Sequence, residues 1–309
     1  VLEDDMANFT LYWTNLGRYE NCPQQFLWYK GWGTIDLGRG PGRGKPKPVK
    51  SSWHHALMGV VIQAAIEDMY NDELWRHPAS LQRELLERVE REFKRQLAKP
   101  RNYVDWRLSP SREELLKVCR EGVIGYLRTM KHNKLLGPYA KAEEDLVGYV
   151  DKFTPIGGRV DMVIQREDTG ITLLDGKNST HKGKYTDPDQ LRWYALCFQL
   201  AYSRVPDRLG FVYYRYPHGK PIEGTDEVES GVEWVDCTRE DIQGLAQRAV
   251  KVRKGLYRQK FEPTPTPSGC RFCDYETVCE ARIAQKAANS KGRRKKSVEL
   301  PADGLLEIF

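Results

Sequence analysis

Residues 157–177 read "GGRVDMVIQREDTGITLLDGK". Two β-prone runs flank "EDTG" (167–170), whose Asp and Gly are turn residues, so the stretch predicts a β-hairpin. In the second run, "ITLL" (171–174) predicts a buried strand that ends in an acid, a glycine and a lysine. Asp175 and Lys177 are two apart and face one side of that strand. Asp161 lies on the first strand, and pairing through the turn can bring it beside Asp175. Two buried like charges repel, which raises at least one pKa. A divalent cation removes that cost, and Mg²⁺ or Mn²⁺ takes hard oxygen ligands. Lys177 beside them can orient or deprotonate a water, or stabilise charge building up on a phosphate. The Asp-x-Lys tripeptide by itself reads equally well as a surface ion pair.

Working outward, "EDLVGYVDKF" predicts a strand paired with the hairpin through "TPIGG". "DPDQLRWYALCFQLAYSR" predicts a helix with Asp187 as its cap and Pro188 at its first position. Gln190 and Tyr194 are four apart and share one face of it. "RLGFVYYRYP" and "VEWVDC" read as further strands, and "REDIQGLAQRAVKVRKGLY" as a helix. Three helical patterns precede this region. "SSWHHALMGVVIQAAIEDMY" opens with serines as candidate caps. "SLQRELLERVEREFKRQLAK" places Leu81, Leu85, Val89, Phe93 and Leu97 on one stripe, and "SREELLKVCREGVIGYLRTMK" is the third. The fold class is α/β.

The 309 residues suffice for one large domain or two small ones, and 40% hydrophobic with 30% charged residues is a globular balance. No apolar run approaches membrane-spanning length. "VLEDDMANFT" lacks the basic-then-apolar order of a signal peptide, so an intracellular, cytoplasmic protein without membrane association is expected. The net charge of +6 concentrates in residues 39–50 and in "KGRRKK" (291–296). Such clusters suit a phosphate backbone, or are solvated segments. No Gly-x-x-x-x-Gly-Lys-Ser/Thr loop for nucleotide hydrolysis occurs.

Seven cysteines, an odd number, argue against a full disulfide framework. Cys270, Cys273 and Cys279 cluster near the C-terminal end. Three thiolates do not fill a tetrahedral site, and Cys22 can supply a fourth. Four thiolates suit Zn²⁺ or an iron–sulfur cluster, and the spacing does not choose between them. Cys119 and Cys197 lie in helical patterns and read as buried apolar thiols. Cys237 follows a strand and is placed outside the group.

The ordered trio Gly158-x-x-Asp161, Asp175-Gly176-Lys177 and Gln190-x-x-x-Tyr194 resembles the core of the PD-(D/E)XK nuclease superfamily in its RecB-like branch. The resemblance runs from Cys22 to Cys279. It implies a restriction-endonuclease-like mixed sheet flanked by helices, with a helical insert. One early cysteine in "CPQQFLWY", followed after the core by Cys-x2-Cys-x5-Cys, is similar to the [4Fe–4S] clasp of AddB-type and CRISPR-associated adaptation nucleases. That likeness selects iron–sulfur over zinc and makes Cys22, Cys270, Cys273 and Cys279 its ligands, joining the terminal segments. The implied organisation is an N-terminal segment (1–50), a helical region (51–140), the nuclease core (141–260), a cluster-binding segment (261–285) and a basic flexible tail (286–309).

The resemblance further implies that Asp161, Asp175 and the Gly176 carbonyl hold Mg²⁺ or Mn²⁺. Lys177 orients the water, and Gln190 and Tyr194 position lysine and DNA. Gly59 opens a segment where the family carries a metal-binding histidine, but Gln63 stands in that place. A glutamine carbonyl can still ligate Mg²⁺ or Mn²⁺, so Gln63 joins the expected metal set. Glu143 or Glu144 lies where some relatives carry a further acid, with an indirect role. Lys182 and Lys184 follow the site and could meet phosphates. The expected activity is a metal-dependent DNA nuclease, in the main an exonuclease acting on single-stranded DNA or double-stranded ends in recombination, repair or CRISPR adaptation. The alternative is a non-catalytic iron–sulfur DNA-binding module. "VELPADGLLEIF" (298–309) offers acids and bulky apolars to a protein partner.

Overall fold

The computed structural model describes residues 9–32, 35–36, 41–42, 54–99, 104, 106–107, 109–137, 140–183, 186–216, 229–271 and 273–296. The expectations for the basic loop before Lys50, for Lys184 and for the docking segment 298–309 lie outside them. In chain order the elements begin with β1 (Leu11–Tyr12), α1 (Trp13–Asn21), α2 (Pro23–Lys30), β2 (Ile35–Asp36), β3 (Pro41–Gly42), α3 (His54–Asn71), α4 (Leu81–Leu97) and α5 (Arg112–His132). They continue with β4 (Ala140–Tyr149), β5 (Pro155–Arg166), β6 (Gly170–Lys177), α6 (Pro188–Tyr202), β7 (Arg208–Tyr213), β8 (Val232–Val235), α7 (Arg239–Tyr257), α8 (Pro267–Arg271) and α9 (Glu280–Lys296). Contacts divide the chain into two units. One comprises residues 8–13 and 51–253, the other residues 1–7, 14–50 and 254–309.

The larger unit is built on a mixed sheet ordered β1-β5-β6-β7-β8, with β4 also paired to β5. The hairpin β5–β6 is antiparallel with Met162 opposite Leu174, the register that "EDTG" dictates. Gly170 takes φ +69°, a left-handed turn position that a side chain would strain. β6 then runs parallel to β7, which needs a crossover, and α6 supplies it. Asp187 caps α6 by accepting from the Asp189 N–H at 3.0 Å, with Pro188 at the first position.

The strand before the hairpin departs from the expected turn. "TPIGG" does not join β4 to β5. Residues 155–158 already belong to β5, and the turn lies at residues 150–154. There the Asp151 carboxylate accepts from the Phe153 N–H at 2.9 Å. Ile156 and Gly157 are drawn into the sheet because β1 pairs parallel to them, a long-range contact with no local signal.

Helices α3, α4 and α5 form a layer whose core includes Ile62, Ile66, Leu85, Phe93, Val123 and Tyr126. Met162, Leu174 and Val212 of the sheet belong to the same core. The stripe read on α4 is buried at Leu81, Leu85, Val89 and Phe93, with Leu97 partly buried. A capping box at Ser111 and Glu114 starts α5. α6 packs against β4, β5, β6 and β7, and its buried Trp193 donates to the Gly157 carbonyl at 3.0 Å. Cys119 and Cys197 are buried as expected.

In the smaller unit the aromatics of the N-terminal segment are packing groups. Trp28 meets Tyr275 edge-on at 5.3 Å, and Tyr19 meets Phe26 at 5.7 Å. The Tyr19 hydroxyl donates to the Lys260 carbonyl at 2.7 Å. α9 continues through Lys296, across the start of the expected basic tail 286–309. Its "ARIAQKAA" start is rich in strong helix formers and contains no proline, which explains the extension. Among the described residues, no helix is long and apolar enough to cross a membrane.

Candidate active site

The last hydrogen-bonded pair of the hairpin ladder is Met162 with Leu174. One residue on, a side chain replaces the backbone: the Gly176 N–H donates to Asp161 Oδ2 at 2.7 Å. That bond fixes Asp161 against β6 and sets it beside Asp175. Asp175 is 3% exposed. Its Oδ1 accepts from the Gln190 amide at 2.8 Å. Its Oδ2 pairs with the Lys177 ammonium. Lys177 also donates to Gln190 Oε1 at 3.1 Å, and the Gln190 amide lies 2.9 Å from the Tyr194 hydroxyl. One glutamine thus holds acid, base and phenol in a single network. The sequence-predicted Asp161, Asp175, Lys177, Gln190 and Tyr194 all converge here.

Burial, and after it the charge of Asp175, push the Asp161 carboxyl well above the usual carboxylate range. Burial also raises Asp175, against the pull of Lys177. Both shifts describe oxygens that disfavour negative charge where they stand. A bound cation would relieve that. Burial raises the Tyr194 phenol, with Asp175 adding to it, so Tyr194 acts here as a neutral hydrogen-bonding group.

Glu143 is the residue that sequence reasoning left undecided. In the β4–β5 ladder, Ala142 pairs with Met162 and Glu144 with Val160, but Glu143 and Asp161 make no ladder pair. Glu143 takes φ +55°, a left-handed conformation that costs a non-glycine residue about 1–3 kcal/mol. The break turns its carboxylate toward the site, where its charge raises both Asp161 and Asp175. Arg159 pairs with its other side. Glu144 points away, to Lys141 and Tyr202. Tyr214 was missed altogether. Its hydroxyl lies against Gly176 so closely that a Cβ there would collide with it.

Gln63 on α3 is held at both ends of its amide. Its nitrogen donates to Glu143 Oε1 at 2.6 Å, and its oxygen accepts from Tyr214 at 3.0 Å. It reaches the site, but through Glu143. His54 and His55 stack on each other at 3.9 Å between ring centroids, and His54 lies 3.2 Å from the Ser109 hydroxyl.

Among the described residues, no three His, Cys, Asp or Glu side chains converge closely enough to hold one metal ion. Mg²⁺ does not require three, because it commonly binds one or two carboxylates and completes its shell with water and substrate phosphate. Asp161, Asp175 and the Gly176 carbonyl are a donor set of that kind. In the smaller unit Cys22, Cys270, Cys273 and Cys279 line one pocket with a cavity volume of about 20 Å³. Cys22 stands at the N-cap of α2 in extended conformation, before Pro23. The Cys273 thiol is pushed up by burial, and the fields of the other three reach it. All four are free thiols, and Cys279 contacts Gln24 Oε1 at 3.7 Å.

A sequence model of the PD-(D/E)XK nuclease superfamily matches residues 13–280. The "Gene 69 protein" of Mycobacterium phage D29 is 23% identical over 232 residues, 74% of this chain and 71% of that protein. The solved structure of SSO0001 overlaps 55% of this chain and 78% of its own, with 15% identity and a TM-score of 0.31.

Proposed function

The chain belongs to the PD-(D/E)XK nuclease superfamily, and from that premise we propose that it is a Mg²⁺- or Mn²⁺-dependent deoxyribonuclease trimming DNA from ends. The observation that carries the reading is the network joining Asp161, Asp175, Lys177 and Gln190 at the hairpin end. Asp161, Asp175 and the Gly176 carbonyl would hold the cation, which supplies a Lewis-acid charge for phosphodiester hydrolysis. Gln63 holds Glu143 in place beside them.

Lys177 presents its ammonium at the rim of the buried pair, with its side chain 22% exposed. There it can orient a water toward a phosphate and neutralise charge on the phosphoryl oxygens. Gln190 keeps the ammonium aimed by accepting from it, and keeps Asp175 fixed by donating to it. Tyr194 anchors that glutamine. The end-trimming preference and a place in recombination, repair or CRISPR adaptation rest on the likeness of the ordered motifs to the RecB-like branch.

The second part of the proposal is a [4Fe–4S] cluster on Cys22, Cys270, Cys273 and Cys279. Four free thiols around one pocket support it. Such a cluster is larger than a single ion, so its ligands stand further apart than those of zinc. Its expected role is structural, closing the long loop between Cys22 and Cys279.

One observation favours the rival reading of a non-cutting DNA-binding module: the Gln63 amide is tied at both ends, to Glu143 and Tyr214, rather than presented to the Asp161–Asp175 pair. End-labelled single- and double-stranded DNA, incubated with Mg²⁺, Mn²⁺ or EDTA, separates the two. Metal-dependent shortening by the parent, absent with Lys177→Ala, supports the nuclease. Binding without any cutting supports the module.

A further inference from the structure

A groove runs between α5 and the segment that leaves β7. Lys117, Arg120 and Arg128 of α5 line it together with Arg215, Tyr216 and Thr180. Its volume is about 700 Å³. The α5 residues 117, 120, 124 and 128 recur at helical spacing, so they form one stripe. Leu115, Cys119, Val123, Tyr126 and Met130 of the same helix are buried in the core. The stripe is therefore the solvent face, and it is basic.

Four cations line this groove against one acid, Glu121. Arg120 pairs with Glu90 at 2.5 Å, and Lys117 lies 3.9 Å from Glu121. Arg128 and Arg215 have no carboxylate partner among the described residues. The groove also shares a wall with the active site. Tyr214 lines it, while the Tyr214 hydroxyl lies against Gly176 and donates to Gln63. Thr180 follows Lys177 by three residues. Gly125 lets α5 approach so closely that a Cβ there would strike the Tyr214 carbonyl, which holds the two walls in register.

We propose that this groove is the track for the phosphate backbone of one nucleic-acid strand on its way to the Asp161–Asp175–Lys177 site. The inference rests on the nuclease reading for its destination, but the groove's binding can be measured apart from cleavage. The cations supply the electrostatic term that dominates binding of a phosphate backbone. Tyr216 is half-buried, with the Lys182 ammonium 4.7 Å from its ring centroid. An aromatic of this kind stacks on unpaired bases, whereas the bases of a duplex are already stacked on both faces. The occupant is therefore a single strand.

The test uses the full chain in EDTA, with fluorescein-labelled single-stranded 20-mer and duplex of equal length, titrated at several salt concentrations. Arg128→Glu/Arg215→Glu is expected to weaken single-strand binding at least about 10-fold and to reduce the salt slope by about one to two, the loss of two phosphate contacts. Arg128→Lys/Arg215→Lys should stay within a few-fold of the parent. Arg76→Glu/Arg204→Glu, the same charge change at exposed sites elsewhere, should leave affinity unchanged. If the charge reversal prevents folding, Arg128→Ala and Arg215→Ala replace it, each lowering affinity and salt slope. Unchanged single-strand binding in a folded variant overturns the proposal. So does an equal loss with the Arg76/Arg204 pair, or a loss confined to duplex. A parent that never cuts in Mg²⁺ or Mn²⁺ sinks the nuclease reading, while the EDTA binding result still decides the groove.

Discussion

The two candidate ligand-binding regions are built by opposite strategies. The Asp161–Lys177 site takes most of its groups from one hairpin and the helix that follows it, within 34 consecutive residues. Its polar atoms hold one another: Gly176 on Asp161, Gln190 on both Asp175 and Lys177. The thiol pocket gathers Cys22 and Cys279 from opposite ends of the chain. Thiols are weak hydrogen-bonding groups and do little to order one another. The first region is preorganised by its own fold. The second, with the proposed cluster bound, would gain its order from what the four sulfurs hold together. The difference teaches where each region fails: one loses chemistry, the other loses stability.

The sharpest break of that contrast is at the thiols. Cys273→Ser should bleach absorbance near 400 nm in anaerobically purified protein. It should also destabilise the smaller unit by on the order of 5 kcal/mol, the scale of closing a long loop. A colourless parent with an unchanged melting curve in the variant would leave the pocket without a structural role. Next, Lys177→Ala should lower kcat about 10³-fold or more, with a smaller fall in melting temperature than Cys273→Ser gives, because buried Asp175, deprived of its ammonium, can take up a proton instead. A large drop in stability instead would mean that the site is not preorganised without it.

Gln190→Ala removes a donor from Asp175 and an acceptor from Lys177. It should cost about 10- to 100-fold in kcat, corresponding to about 1.5–3 kcal/mol for hydrogen bonds to charged groups. Equal kcat in the variant would show that Lys177 aims itself.

Asp161→Asn tests the sign of the buried charge. A carboxyl whose folded pKa is raised contributes stability while protonated and loses it as pH climbs past the unfolded value near 4 toward the folded one. At neutral pH in EDTA the asparagine variant should therefore melt about 2–4 °C above the parent. Mg²⁺ should raise the parent's melting temperature and leave the variant's unmoved. The smallest effect separates two neighbours. Glu143→Gln should reduce cleavage about 10-fold, whereas Glu144→Gln should leave it unchanged, because its partners are Lys141 and Tyr202.

How far the fold was legible varies with the range of the interactions. The hairpin, the capped start of α6 and the stripe on α4 follow from turn residues, caps and periodicity, all of which act within a few residues. The β4–β5 turn was misplaced because β1, more than 140 residues away in sequence, pairs with Ile156 and Gly157 and extends the strand. The helix that runs to Lys296 begins in "ARIAQKAA", whose alanines favour it locally. In the site, Asp161, Asp175 and Lys177 could be named from strand pairing and spacing, whereas Gln190 and Tyr194 were implied by the likeness of the ordered motifs to the nuclease superfamily. Tyr214 could not, since a tyrosine after a strand looks like any other until Gly176 lies against it.

By itself, then, the chain's sequence determined which side chains share a face: Asp175 with Lys177 on a strand, Gln190 with Tyr194 on a helix. Those relations are set by backbone geometry and survive any packing. Only the tertiary structure decided which of Glu143 and Glu144 turns to the site, since that depends on a left-handed residue in a broken ladder. It alone directed Gln63 to Glu143 rather than into the carboxylate pair, and set the basic stripe of α5 beside Tyr214. These arrangements arise between segments distant in the chain, where contact is decided by how the layers close and not by local pattern.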